Sequence, residues 1–332
     1  MKACSDLTAH VADISEDVDS LAGRVLDVIR DTGEKPTSVT AAEAMISLMG
    51  HIEKGVGKGI GTGVAGLDRK LGGFKPKQLI VLGARPGVGK TALAIYIAQH
   101  VALHSGPVLV VSLEMDSEQI VTRIIAKESG VDVQKLDSCS LKDEDWPAVW
   151  FESKRISEMQ MRITTSATTP LQVRREAQAM IRDGGLKMIV IDYIQLMRAD
   201  SPAKSRYEEI TQISRELKLM TMDLGVPVLA LTQFNRESEG KNGAKKRKPT
   251  MAEAKDSGSI EQDANVFMTL YPPEEPKAGT EAHDHWQLCQ DKGTEWMLLS
   301  IDKNRQGPCG YVSLSFDKPH MDFLTIDPVD SG

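Results

Sequence analysis

Aromatic side chains are scarce: 4 Trp, 5 Tyr and 6 Phe make up 5% of the 332 residues. A core must therefore be built from Val, Ile, Leu, Met and Ala, a mix that suits a parallel sheet buried between helices. Cysteine is scarcer still. Cys4, Cys139, Cys289 and Cys309 are scattered without a CxxC, which indicates neither a zinc site nor a disulfide scaffold. Long apolar runs are missing too, because Leu79–Gly83, Val108–Leu113, Met188–Ile191 and Val226–Leu231 are far too short to span a bilayer. The start of the chain, with Asp6, Asp13, Glu16 and Asp17, has neither the cationic opening nor the apolar core of a secretory signal. Positive charge is not in excess: 40 Lys and Arg against 47 Asp and Glu leave a net charge of −7. That excludes coating nucleic acid with the whole surface but leaves room for a local patch. No internal repeat is visible. With 41% hydrophobic and 26% charged residues, the expectation is a soluble cytosolic protein of one large or two unequal domains.

What is present falls into two regimes. Residues 1–10 carry no pattern and are expected to be loose. Val11, Ile14, Val18, Leu21, Val25 and Val28 then recur at alternating steps of three and four, the apolar stripe of an amphipathic helix, with Gly33 and Pro36 behind it as stops. Such a stripe either folds back on its own domain or docks on a neighbouring subunit. Ala41–Glu53 reads as a second helix, and Gly50, Gly55, Gly57, Gly59, Gly61 and Gly63 then mark a flexible connection. From Leu79 the pattern changes. Short apolar runs at 79–83, 108–112, 161–165, 187–192 and 227–232 predict strands, alternating with predicted helices at 90–103, 116–129, 171–184 and 207–224. This is the βαβ alternation of a wound, mostly parallel α/β sheet. Further strands are predicted at 265–271, 296–302, 310–316 and 321–326, the last of them as a meander or hairpin, while 233–264 and 272–293 read as long loops.

The sharpest chemical signal is Ala84-Arg85-Pro86-Gly87-Val88-Gly89-Lys90-Thr91, which follows a predicted strand and opens a predicted helix. Gly87 and Gly89 allow backbone N–H groups to close around phosphate oxygens at the positive end of the helix. Lys90 can reach the β- and γ-phosphates of ATP, and the Thr91 hydroxyl can ligate Mg²⁺. Met188–Asp192 is an apolar strand ending in a carboxylate, placed to hold that Mg²⁺ through water. Other signals have two readings each. Glu114, at the end of Val108–Leu113, is either the base for an attacking water or an acid at a helix N-terminus. Gln233 either senses the γ-phosphate or merely ends a strand. The basic stretch Lys241, Lys245, Lys246, Arg247 and Lys248, followed by Lys255-Asp256-Ser257-Gly258-Ser259, is either a sequence-independent grip on a phosphate backbone or a solvated loop. Lys303 and Arg305 stand at a tight bend: an exposed hairpin tip, or cations that enter another subunit's ATP site.

Taken in order, these segments resemble the C-terminal motor domain of the DnaB-family replicative DNA helicases, a branch of the RecA-like P-loop ATPases. The resemblance rests on Gly83-Ala84-Arg85-Pro86 through Lys90-Thr91-Ala92, Ser112-Leu113-Glu114-Met115 with Glu118-Gln119, Val190 through Leu196, Val226-Pro227-Val228 through Gln233, Ser257 through Ala264, and Lys303 through Pro308. It implies that Glu114 is the hydrolytic base, Gln233 the phosphate sensor, and Lys303 with Arg305 the finger acting on the neighbour's ATP. It implies that Arg123 lies near the adenine, beside a nucleotide cradle formed by Arg85 through Ala92 with Asp192. It further implies that residues 255–259 line a central pore and contact DNA, and that the helix near 11–28 docks on the adjacent subunit. The resulting expectation is a homo-hexameric ATP-dependent helicase moving 5′-to-3′ on single-stranded DNA, in the cytoplasm of a bacterium or a phage-infected host. Its parts would be a linker helix and connection over 11–63 and a motor over 64–328. A recombination ATPase that forms filaments, and an assembly module that unwinds nothing, are the rival readings. Family members carry an N-terminal collar domain that recruits primase, whereas Met1 stands only ten residues before the helix. The expectation is a truncated chain or a compact, phage-type form, with a helicase loader or primase as further partner. Lys77 also departs from the family, standing where relatives usually have Gly, as do Lys255 and Asp256 in place of Arg-Glu.

Overall fold

The computed structural model describes residues 40–53, 59–234, 248–249 and 257–326. The chain divides into two compact units, Met1–Gly57 and Lys58–Gly332. Of the first, the described part is the helix α1 (Ala41–Glu53), at the bounds predicted for it. Thr40 and Glu43 close its first turn reciprocally: the Glu43 N–H donates to Thr40 Oγ1 (3.2 Å) and the Thr40 N–H to Glu43 Oε2 (2.8 Å). The predicted helix over 11–28 lies outside the described residues.

The second unit runs α2 (Ala65–Leu71), β1 (Leu79–Ala84), α3 (Lys90–His104), β2 (Val108–Ser112), α4 (Ser117–Ser129), α5 (Val133–Asp137), α6 (Trp146–Ser157), β3 (Met161–Thr164), α7 (Pro170–Asp183), β4 (Met188–Asp192), α8 (Arg206–Leu224), β5 (Val228–Gln233), α9 (Ser257–Asp263), β6 (Val266–Tyr271), α10 (Glu281–Asp291), β7 (Glu295–Asn304), β8 (Gly310–Asp317) and β9 (Asp322–Thr325). Nine strands form one sheet in the order β3-β2-β4-β5-β1-β6-β7-β8-β9. Pairing is parallel from β3 to β6 and antiparallel from β6 to β9, so a wound sheet is extended by the expected meander. This is the fold class the alternation predicts.

The parallel strands β1, β2, β4 and β5 are buried on both faces, which explains why they read as unbroken apolar runs, whereas the edge strand β3 is partly exposed. Successive residues of β1 serve opposite sides of the sheet. Ile80 and Leu82 pack with Leu93, Ile97 and Val101 of α3 and Ile120 and Ile124 of α4. Leu79 and Val81 pack with Val173 and Ala177 of α7, Ile213 and Leu217 of α8, and Ile260 of α9. Helix α3 is apolar around most of its circumference and lies almost wholly inside. Helices α4 and α7 each open on a capping box, Asp116 with Gln119 and Thr169 with Gln172. The chain enters β1 through Lys77, whose φ of 64° lies in the left-handed region. That conformation accounts for the glycine usual there.

Two expectations need correction. The segment 272–293 is not a loop throughout, since it contains α10, closed at its start by Thr280 Oγ1 accepting from the His283 N–H (3.2 Å). Of its residues only Cys289 is fully buried, against Trp296 and Ile326, which leaves no apolar stripe to read. Likewise 233–264 is not all loop: it ends in α9, a helix of 7 residues. Helices α2, α5 and α6 have no counterpart among the predicted elements. No helix among the described residues is long and apolar enough to cross a membrane.

Candidate functional site

Strand β1 sits inside the sheet between β5 and β6, and its C-terminal end delivers the turn Arg85–Gly89 to the start of α3. Two residues of the turn need positive φ, Gly87 at 74° and Gly89 at 97°. Gly89 has a second reason to lack a side chain: a Cβ there would come within 3.0 Å of the Phe316 ring of β8. The result is a ring of backbone facing a cavity of about 330 Å³ at the C-terminal edge of the sheet. Such an edge, beside a helix N-terminus, is where α/β sheets bind phosphates.

Lys90 and Thr91 open α3 and converge on Asp192, the last residue of β4. Thr91 Oγ1 donates to Asp192 Oδ2 at 2.7 Å, and Lys90 Nζ stands 3.5 Å from Asp192 Oδ1. Asp192 Oδ1 is buried and receives no hydrogen bond among the described residues. A hydroxyl and a carboxylate held together are hard oxygen donors, so this pair fits Mg²⁺. Lys90 is itself buried and lies 4.3 Å from the centre of the Tyr193 ring. Burial pulls its ammonium pKa below the ordinary lysine value, with the charges of Asp192 and Glu114 opposing that shift. A buried ammonium beside a cavity that can admit an anion suits a polyphosphate.

Glu114 follows β2 and lines the same cavity. Its loop is fastened at both ends. The Leu113 N–H donates to the Asp192 carbonyl (2.8 Å), Ser112 Oγ donates to the Met115 carbonyl (2.6 Å), and the Met115 N–H donates back to Ser112 Oγ (3.2 Å). Glu114 remains exposed, free to reach a water. Arg123, one helical face along α4, and Gln233, at the end of β5, complete the predicted lining together with Arg85, Pro86 and Ala92. Neither Val88 nor Asp192 is among the lining residues: the Val88 side chain is partly buried against the core, and Asp192 is buried and meets the site through Thr91 and Lys90. Besides Met115, which adjoins Glu114, three lining residues have no counterpart among those predicted: Phe316, Lys318 and Met321, from the β8–β9 hairpin. No local motif announces them, because packing across more than two hundred residues brings them there. Gln195 is also new as an interacting side chain, binding the end of β5 through Thr232 Oγ1 (2.8 Å).

Lys303 and Arg305 do not line this cavity within one chain. Lys303 Nζ donates to the carbonyls of Glu261 (2.5 Å) and Gln262 (3.1 Å), and Arg305 Nη2 donates to the Gln262 carbonyl (2.5 Å). Both cations therefore cap the C-terminal end of α9. Of the predicted DNA-contact residues, Lys255 and Asp256 lie outside the described residues, and Ser257 begins α9. Gly258 is exposed, whereas Ser259 is turned inward and buried, since it shares the inner side of this short helix with Ile260. In the basic stretch, residues 241–247 lie outside the described residues. Lys248 is bound to β7, with its Nζ 2.5 Å from Asp302 Oδ1 and donating to Ser300 Oγ (2.9 Å). Its side chain stays 46% exposed, so this ion pair lies at the surface.

The family model described as DnaB-like helicase C terminal domain matches residues 59–325. The replicative DNA helicase DnaC of Bacillus subtilis is 36% identical over 280 residues, covering 83% of this chain and 59% of that protein. The replicative DNA helicase DnaB of Pasteurella multocida is 40% identical over 266 residues, covering 78% and 53%. Thus the chain spans somewhat over half the length of the curated relatives it matches. Among solved structures, one described as an ATPase domain superposes with a TM-score of 0.76 at 28% identity, covering 87% of this chain and all of that one. Another, of a DnaB-like replicative helicase and its interactions with primase, gives a TM-score of 0.79 at 25% identity, covering 98% and 75%.

Proposed function

Because the chain belongs to the DnaB-like helicase C-terminal domain family, we propose that it is the motor of a ring-forming, ATP-driven replicative DNA helicase moving 5′-to-3′ along single-stranded DNA. In this reading residues 11–63 are linker and 64–328 are motor, and the ring is a hexamer working in the cytoplasm of a bacterium or a phage-infected host. A helicase loader or a primase is a further partner; one solved relative is described together with its interactions with primase.

The observation that carries the reading is the convergence of Lys90, Thr91 and Asp192 beside a cavity that also receives Glu114 and Gln233. The turn Arg85–Gly89 binds the phosphates through backbone N–H groups, and Lys90 neutralises the β- and γ-oxygens. Thr91 and Asp192 hold Mg²⁺, which when bound supplies charge neutralisation at the phosphates. Glu114 orients the attacking water and accepts its proton. Gln233 reports whether the γ-phosphate is present, and Arg123 flanks the adenine. Lys303 and Arg305, remote from their own cavity, act on the ATP of the neighbouring copy. The segment 255–259 holds the DNA, with the buried Ser259 side chain taking no part.

Lys90→Ala should abolish ATP turnover, and Arg305→Ala should lower it by roughly 10³-fold or more while nucleotide still binds. Mixing Arg305→Ala subunits with Glu114→Ala subunits should restore activity, because some interfaces then combine an intact base with an intact finger. Failure to restore turnover at any mixing ratio would refute the shared site. Filaments instead of closed rings on ATP and single-stranded DNA would favour a recombination ATPase, and turnover indifferent to single-stranded DNA an assembly module.

A further inference from the structure

The β4–β5 ladder stops before the strands reach the cavity: its last register pair is Ile191 with Ala230. Beyond that pair, β4 turns away, and the Asp192 carbonyl is taken by Leu113 on the β2 side. Among the described residues, β5 continues for three more positions paired only with β1, with Gln233 in register with Ala84 and the Phe234 N–H donating to the Ala84 carbonyl (3.0 Å). Alternate residues of a strand direct their peptide groups to opposite sides. The N–H and carbonyl of Gln233 thus point to the side from which β4 has departed.

Gln195 fills that place. It lies in a short 3₁₀ turn, Ile194–Leu196, three residues after Asp192. Its Nε2 donates to the Gln233 carbonyl (3.2 Å) and to Thr232 Oγ1 (2.8 Å), and its Oε1 accepts from the Gln233 N–H (3.3 Å). A side-chain amide has the same donor and acceptor as a peptide group, so Gln195 acts as one extra residue of β4. The turn bearing it is anchored from two sides. Ile194 is fully buried, and Arg206 at the start of α8 donates to the Gln195 carbonyl (2.6 Å).

We infer that Gln195 is a positioning residue for Gln233, fixing the backbone of the phosphate sensor to the strand that carries Asp192. The inference rests on the reading of Gln233 given above. The Gln233 side chain can report on a phosphate only if its own backbone does not drift, and among the described residues the hydrogen bonds that hold it on the β4 side come from the Gln195 amide.

The test uses the full chain and steady-state ATP turnover with single-stranded DNA. Gln195→Ala should lower kcat at least tenfold and leave KM for ATP within about twofold. Gln195→Glu keeps the shape and one acceptor oxygen but loses the donor, and should lower kcat in the same way; it decides the matter if the alanine variant does not fold. The double variant Gln195→Ala/Gln233→Ala should be no slower than Gln233→Ala alone, as expected when two residues act through one. Normal kcat in both Gln195 variants beside a slow Gln233→Ala overturns the inference and leaves the sensor reading intact. A rise in KM alone, or additive losses in the double variant, overturns it as well. Unimpaired turnover in Gln233→Ala instead removes the sensor reading itself.

Discussion

Lys77 holds its backbone at φ 64° directly before β1. The left-handed region costs an L-residue with a Cβ roughly 1–2 kcal/mol, and the surroundings maintain it here. Lys218 Nζ and Thr221 Oγ1 both donate to the Lys77 carbonyl, at 3.0 and 3.1 Å. The Lys77 side chain is exposed, so nothing in the core depends on it. Lys77→Gly should therefore stabilise the protein by about 0.5–1 kcal/mol once the extra freedom of the unfolded glycine is set against the relieved strain. A melting temperature that stays level or falls would contradict this. A second residue works through charge. Asp322 pairs across the β8–β9 hairpin with another carboxylate, Asp317. Burial pushes the Asp322 carboxyl above its usual value, with Asp317 and Glu128 adding to the shift and Lys127 and the Phe323 N–H opposing it. The folded chain then binds the proton more tightly than the unfolded one, so stability falls as pH rises from the ordinary aspartate value through the raised one. Asp322→Asn should be more stable than the parent at neutral pH and lose that advantage below about pH 4. Urea midpoints across the pH range would show the crossover, and a difference independent of pH would rule out its electrostatic origin.

Among the elements, α9 depends on its neighbours for its closing hydrogen bonds. It is seven residues long, too short to persist unaided, and its final carbonyls are satisfied by Lys303 and Arg305 from β7 and the bend after it. Ser214 of α8 adds a bond to Asp263 (2.8 Å). Cations at a helix C-terminus are worth roughly 0.3–1 kcal/mol each. Replacing both with alanine should raise hydrogen exchange over residues 257–264 several-fold in the nucleotide-free protein, and unchanged exchange would mean that packing alone holds the turn. How far the elements were legible follows from burial. Strands β1, β2, β4 and β5 are enclosed on both faces and stand out as apolar runs, α4, α7 and α8 bury one side and show a helical period, and α3 is marked by its apolar length and by the glycine turn before it. In α10 one residue is fully buried, so its sequence is that of a surface loop. The site divides in the same manner. Lys90, Thr91, Glu114, Asp192 and Gln233 each end an apolar strand or open a helix, a context visible along the chain. Phe316 and Met321 reach the cavity only through sheet order, and Gln195 through a ladder that stops short; neither leaves a local mark.

At the scale of the whole molecule, the groups assigned to one reaction are separated. Lys90, Thr91 and Asp192 converge at one cavity, while Lys303 and Arg305 face α9 instead. If turnover needs both sets, turnover per chain should fall steeply when the protein is diluted below the concentration at which copies associate. Mass measurements in the same range would show whether the loss tracks dissociation, and constant turnover per chain at every dilution would refute the requirement. A net charge of −7 is compatible with binding DNA when contact is confined to a channel, where a few cations and backbone N–H groups set the local field.

A hydrogen-bond donor serves one direction at a time. While Lys303 and Arg305 rest on the carbonyls of Glu261 and Gln262 they are turned inward, and any contact that draws them outward strips the last turn of α9. A spectroscopic probe beside Gln262 should therefore distinguish a solitary chain from one in company, with no label on fuel or track.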